Sequence, residues 1–270
     1  MKRFFGALVF ICSLVFSSPS YPQELTDEQT QEAITFAQRA ATYVLYHEIG
    51  HLFVAQYELP ILGREEDVAD NIATLMLLLA EDEDKDNILL DSAHSWFLSN
   101  DSATDDVISD AEFYDSHSLD IQRAFQIICL MVGADPALFA EVATQVGIDD
   151  DRQESCQFDF AQLTNNWLRL SEAFIKKTNE GAKIEVIYEP SDEEFEYAAA
   201  IFQNGEILEF VAKEIEENYS LPAPARFIGK NCGTANAYYD PSKNDVVMCY
   251  ELTARFLDLI VEDMLRYPEG

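Results

Sequence analysis

Apolar residues recur at helical spacing from Ile34 and Phe36 through Ala40, Tyr43, Val44 and Tyr46, which predicts one long helix from Thr26 to about Tyr57. Thr26 and Gln29 supply a capping box at its start, and Pro60 with Gly63 form a turn at its end. A second helix opens near Glu65 and runs through Ile72, Leu75, Met76 and Leu79, where it becomes apolar on all sides and therefore buried. The acidic run Glu81 to Asp86 follows as a loop. Further helices are predicted over 88–99, 117–133, 136–146 and 159–177, the last carrying Trp167, Leu170 and Phe174. The period changes near residue 180. Residues 183–188 alternate as a strand, 205–218 return to helical spacing, and 225–229, 236–239 and 245–250 are short strand candidates rich in aromatic and β-branched residues. The turn from Asp240 to Asp245 joins the last two as a hairpin, and 251–266 read as a closing helix. The fold class is α+β and helix-rich, with a helical region 21–180 and an α+β region 181–270 that completes the same domain.

Apolar residues make up 48% of the 270, enough for a substantial core. At the N-terminus Lys2 and Arg3 precede an apolar run of about 13 residues that ends in small residues and proline, the layout of a secretory signal cleaved near Ser20. That run is shorter than the ~20 residues needed to span a bilayer, and no later segment reaches that length, so no stable membrane insertion is expected after cleavage. The reading is a secreted or periplasmic protein. Export changes how the cysteines count, because Cys12 leaves with the signal and Cys129, Cys156, Cys232 and Cys249 remain. Three pairings exist, of which Cys129 with Cys156 and Cys232 with Cys249 are favoured because each is local. A four-cysteine zinc site is the rival, but it lacks any C-x-x-C pair. Fifty acidic residues against 17 basic ones set the net charge at −33, and loss of Lys2 and Arg3 makes it more negative still. Such a surface repels nucleic acid and anionic lipid and stays soluble in high salt.

Candidate chemistry sits on the first helix. His47 and His51 in the string HEIGH lie four residues apart and share a face, setting two imidazoles one turn apart for a tetrahedral zinc ion. Glu48 beside them is placed to deprotonate a zinc-activated water for attack on a carbonyl. With four histidines in the chain, the H-E-x-x-H pattern is expected by chance roughly 0.006 times per such sequence, so accident is a poor explanation. The next helix opens with Glu65-Glu66-Asp67-Val68-Ala69-Asp70. Acidic residues are common in a helix's first turn, yet behind an H-E-x-x-H helix these carboxylates can fold back over the histidine face. Glu66 is the expected third ligand. Asp70, four residues later on the same face, is expected to accept the second N–H of a ligating histidine and fix its tautomer.

HEIGH followed by Glu66 to Asp70, EDVAD, resembles the gluzincin metallopeptidases, whose ligands come from H-E-x-x-H and E-x-x-x-D on successive helices. The longer string HEIGHLFVAQYELPILGREEDVADNIATL is also similar to an uncharacterised bacterial family named only for an inferred metallopeptidase activity. HSLDIQRAFQIICL at 117–130 and CGTANAYYDPSKNDVVMCYEL at 232–252 are further shared segments. The resemblance implies a zincin-like core with a small C-terminal hairpin or sheet packed on the active-site helices. It implies a zinc enzyme that hydrolyses peptide bonds in a protein or peptide substrate. One departure stands out. Zincins usually place a substrate-pairing edge strand before the active-site helix, whereas here the hairpin lies far downstream and would have to pack back onto the site.

Secondary candidates complete the picture. His117, in Asp115-Ser116-His117, is a candidate catalytic donor to the oxyanion of a tetrahedral intermediate, as are Tyr238 and Tyr239 from the hairpin, with His94 ranked lower. Arg64 is expected to pair with a carboxylate and order the acidic loop. Asp82, Asp84 and Asp86 alternate as at the start of a calcium loop, but Asn87 and Ala93 stand where glycine and the closing glutamate belong, so they read as solvated charge. The rival function is an exported scaffold that keeps the zinc site for structure; a third is a self-processing or single-target protease.

Overall fold

The computed structural model describes residues 24–102, 110–175 and 181–267. The expected signal at 1–20 lies outside the described residues. Two helices form at the predicted places: α1 (Asp27–Gln56) and α2 (Glu65–Leu79). The Thr26 hydroxyl accepts from the Gln29 amide at 3.2 Å while the Thr26 amide donates back to the Gln29 side chain at 3.0 Å, so both ends of the capping box are made. From Ala40 to Gly50 every residue of α1 is buried. A helix buried all round must be central, and α1 packs against α2, α3 (Lys85–Ser102), α10 (Tyr250–Arg266) and the sheet.

The remaining helices are α4 (Asp110–Phe113), α5 (Asp120–Ala134), α6 (Pro136–Gln145), α7 (Asp150–Ser171), α8 (Glu196–Asn204) and α9 (Ile207–Asn218). Asp135 caps α6 ahead of Pro136, accepting from the Leu138 amide at 3.1 Å. Helix α7 corrects the prediction over 159–177. It starts nine residues earlier because Asp149 caps it, accepting from the Arg152 amide at 2.8 Å, and its polar first half hides the periodicity. It ends at Ser171, and a turn carries Ile175 into an isolated bridge with Tyr219. Helix α8 was not foreseen.

Four strands, β1 (Ile184–Tyr188), β2 (Ala225–Lys230), β3 (Ala237–Asp240) and β4 (Asp245–Cys249), form one sheet in the order β1-β2-β4-β3. The expected hairpin is β3 with β4, antiparallel, while β1, β2 and β4 run parallel. Every residue of β4 is buried, as a central strand covered on both faces requires. Phe227, Val246 and Met248 join the main core under the helices; Ile228, Val247 and Cys249 form a small cluster on the opposite face. The architecture is a helix-rich α+β fold with a small mixed sheet. Edge strand β3 packs against α1, so the downstream hairpin does return to the first helix.

Both favoured disulfides form. Cys129–Cys156 ties α5 to α7, and Cys232–Cys249 ties the loop before β3 to the end of β4. Among the described residues no helix is long and apolar enough to cross a membrane.

Candidate metal centre

The chain brings α1 and α2 together through a glycine. A Cβ on Gly50 would stand 2.8 Å from the Ala69 Cα, so the fourth residue of HEIGH is what allows the two backbones to touch at this point. That contact sets Glu66 over the histidines. His47 Nε2 and His51 Nε2 lie 3.2 Å apart, and Glu66 Oε2 lies 3.2 and 3.1 Å from them. The three atoms form a nearly equilateral triangle. Ligands at about 2.0–2.1 Å from a tetrahedral ion are separated by about 3.3 Å, so the triangle has the size of one face of such a site.

The proton positions point the same way. Asp70 Oδ1 lies 2.7 Å from His47 Nδ1, and Glu65 Oε1 lies 2.8 Å from His51 Nδ1. A carboxylate at each Nδ1 favours the tautomer protonated there, and when both imidazoles are neutral their Nε2 lone pairs face the centre. Three lone pairs then converge with no proton between them, a donor set that repels itself unless a cation sits among it. Without one, the acidic surroundings favour protons. Burial works against a charged His47, but Asp70 and Glu66 outweigh it and hold its pKa at about 9. Glu66 is held well below the usual carboxylate range by its contacts with His117, His47 and His51. The same three groups could hold a metal ion, which would compete with protons for these atoms.

Glu48 lies in the field of the same groups. It is 5% exposed, and its Oε2 is buried with no hydrogen-bond partner among the described residues. Burial raises its pKa above the ordinary glutamate value. An orphaned carboxylate oxygen beside the triangle is costly unless something in the working site meets it.

His117 arrives from the segment before α5. Its Nε2 lies 3.0 Å from Glu66 Oε2, its Nδ1 lies 3.3 Å from Asp115 Oδ1, and its ring stacks 6.0 Å from that of His47. Arg64 helps to hold it there. The Arg64 guanidinium donates to the His117 carbonyl at 3.2 Å, which corrects the expectation that Arg64 pairs with a carboxylate of the acidic loop. That loop is tied instead by Arg39, which holds Asp84 at 2.6 Å and Asp91 at 3.1 Å, so Asp84 is not simply solvated.

The other candidates fall away from the centre. The Tyr239 hydroxyl donates to Asn244 at 2.8 Å, and Tyr238 lies under Lys230, 5.8 Å from its ring centroid. His94 packs edge-on against Phe36 and faces Asp263 at 3.8 Å. Arg123 was missed. Its guanidinium grips both oxygens of Asp70 at 2.8 Å, and both side chains are buried, so the carboxylate that orients His47 is itself clamped. Only its position in the shared segment 117–130 hinted at a role.

A cavity of about 580 Å³ opens beside Glu48 and His117, walled by α3, α10 and the residues Ala235, Asn236 and Ala237 that lead into β3. No curated protein sequence and no solved structure matches the chain significantly. Residues 7–171 and 188–266 match the family described as "Putative metallopeptidase", and the chain belongs to that family.

Proposed function

We propose that the protein is an exported, zinc-dependent metallopeptidase of the gluzincin type, in which His47, His51 and Glu66 hold the metal and Glu48 is the general base. The observation that carries this reading is the triangle of two imidazole nitrogens and one carboxylate oxygen at 3.1–3.2 Å, with a carboxylate oxygen against each Nδ1. Two nitrogens and one oxygen are a zinc donor set, and three protein ligands leave the fourth position to water, as catalytic sites do. A bound zinc ion supplies Lewis acidity, lowering the pKa of that water toward neutrality and polarising a substrate carbonyl.

The chain's own groups do the rest. Glu48 takes up the proton released when water attacks the carbonyl and returns it to the departing amine; its buried, partnerless oxygen is free for that exchange. The His117 Nε2, which lies 3.0 Å from Glu66 Oε2, would turn from that oxygen to donate to the developing oxyanion, with Asp115 orienting its ring from Nδ1. Asp70 and Arg123 keep His47 in the ligating tautomer. We read α1, α2 and edge strand β3 as a zincin-like core in which the edge strand follows the active-site helix in sequence. Regions 21–180 and 181–270 form one domain on this reading, since β3 and α10 pack on α1. The signal-like N-terminus and two disulfides support export. A scaffold that kept zinc only for structure would have no use for a buried glutamate oxygen without a partner.

Elemental analysis of purified protein, together with digestion of casein and a peptide library with and without chelator, tests the proposal. Wild type should carry about one zinc per chain and Glu66→Ala less. Glu48→Gln should keep the zinc and lose hydrolysis about 100- to 10,000-fold. Full activity in Glu48→Gln rejects the mechanism, and zinc without hydrolysis of any substrate favours the scaffold.

A further inference from the structure

Glu251 is a buried carboxylate with no part in the proposed hydrolysis. It stands in the first turn of α10, 7% exposed, immediately before Leu252, which lines the cavity beside Glu48. Its Oε1 accepts from the Gly233 amide at 2.7 Å, the Cys232 amide at 2.9 Å and the Asn231 side-chain amide at 3.3 Å, and its Oε2 lies 3.1 Å from the same Cys232 nitrogen. Two successive backbone N–H groups can face one carboxylate only where the chain turns sharply. Gly233 supplies the turn with a φ of 76°, in the left-handed region that glycine enters freely. Asn231 is oriented in its turn, because its Oδ1 accepts from the Asp192 amide at 2.7 Å. Burial works to raise the pKa of Glu251, but its own amide, those of Gly233 and Cys232, and Asn231 outweigh it and hold the group below the ordinary glutamate value.

The segment held in this way leads to the candidate site. Residues 233–236 are all exposed, so no buried side chain fixes their path. Ala235, Asn236 and Ala237 nevertheless form one wall of the cavity, and Leu252, Arg255 and Phe256 of α10 form another. The segment is tied at both ends instead. At its start Cys232 is joined to Glu251 by hydrogen bonds and to Cys249 by the disulfide, and at its end the Asn236 carbonyl accepts from the Cys249 amide at 3.1 Å. All of these ties converge on the beginning of α10. A disulfide leaves rotation about its side-chain bonds, so it fixes where Cys232 sits; the bonds to Glu251 fix which way the backbone leaves it.

We propose that Glu251 is a positioning residue of the candidate active site: by gathering the amides of Asn231, Cys232 and Gly233 it fastens the approach to β3 against α10 and so sets the spacing between two walls of the cavity that Glu48 and His117 line. The inference rests on the peptidase reading and deepens it, because in that scheme Glu251 touches neither substrate nor metal. It acts through the residues it holds. Without the carboxylate, the Cys232 and Gly233 amides lose their acceptor and turn toward water, and the exposed chain that follows them moves too. A substrate lying between the walls is then held less well, while the groups that bind metal and carry the proton stay where they are.

The test compares wild type, Glu251→Ala and Glu251→Gln, each zinc-loaded and with both disulfides formed. Glu251→Ala should raise KM for a casein-derived peptide about tenfold while kcat and zinc content stay within about twofold of wild type. Glu251→Gln keeps one acceptor oxygen and should fall between the two; it carries the test alone if Glu251→Ala does not fold. The second measurement is hydrogen exchange at the Cys249 amide, which the Asn236 carbonyl protects only while the segment stays in place. In both variants that amide should exchange about tenfold faster, with the amides of β2 unchanged. An unchanged KM, or a rise in KM that comes only with loss of zinc, overturns the proposal. Should wild type cleave nothing, the peptidase reading fails and the hold of Glu251 on the wall is judged by exchange alone. Faster exchange at Cys249 in Glu251→Gln then supports it, and a rate equal to wild type overturns it.

Discussion

Asp70 is a single carboxylate with three jobs: it accepts the Nδ1 proton of His47, receives two hydrogen bonds from Arg123, and stays buried while doing so. Burial pushes its pKa up, but Arg123 and His47 outweigh this and hold it well below the usual carboxylate range. A carboxyl depressed in the folded state adds stability above its unfolded value of about 3.9, and that stability is lost as pH falls through the folded value. Acid unfolding monitored by circular dichroism should therefore show a stability loss below about pH 4 that is flattened in Asp70→Asn. The same variant should bind zinc about 10- to 100-fold more weakly in a chelator competition. An Asp70→Asn protein with wild-type zinc affinity would remove Asp70 from the site. At this scale the reach of the sequence is uneven. His47, Glu48 and His51 are readable because four residues on a helix always share a face. Glu66 and Asp70 are readable by the same rule once α2 is placed. Arg123 lies more than fifty residues away, and nothing local shows which carboxylate it will meet.

Helices α1 and α2 meet where Gly50 faces Ala69, and the candidate ligands lie within one turn of that crossing, His47 and Glu66 before it and His51 just after. Gly50→Ala should gain about 1 kcal/mol of helix propensity. The added methyl, 2.8 Å from the Ala69 Cα, must however push the two backbones apart, an overpacking cost of about 1–3 kcal/mol. Glu66 would shift away from His47 and His51. Thermal unfolding should show no gain in Tm despite the better propensity, and zinc affinity should fall; a more stable variant with full affinity would show that the crossing is loose. Helix and strand segments with clear periods were legible. The register of the candidate metal ligands depends on the crossing, which no period encodes. Helix α7 shows a second limit, since its first half is polar and only the Asp149 cap marks where it begins. The parallel pairing of β1, β2 and β4 is a third, because helices α8 and α9 separate β1 from β2 and strand β3 intervenes between β2 and β4.

The whole molecule carries a net charge of −33, and among the described residues the buried acidic side chains are Glu48, Asp70, Asp245 and Glu251. Self-repulsion among the other carboxylates destabilises the compact state. Raising salt from 0.1 to about 1 M shortens the screening length from about 10 to about 3 Å, so Tm measured by calorimetry should rise across that range. A flat or falling Tm would show that the acidic residues are already compensated by their neighbours. Buried pairs such as Asp70 with Arg123 should respond far less than the surface, because water and ions do not reach them.

By itself the sequence determined what is local. It specified the helices that carry the ligands, the i, i+4 spacing that aligns His47 with His51 and Glu66 with Asp70, the hairpin, and the sign of the surface charge. These depend on backbone geometry within a few residues, which holds wherever the element sits. Only the tertiary structure decided that Gly50 meets Ala69, that His117 and Arg123 converge on Glu66 and Asp70, and that α10 and the approach to β3 wall the cavity beside Glu48. Those contacts join segments tens to hundreds of residues apart, and they are selected by how apolar faces pack together, a property of the whole core and not of any one segment.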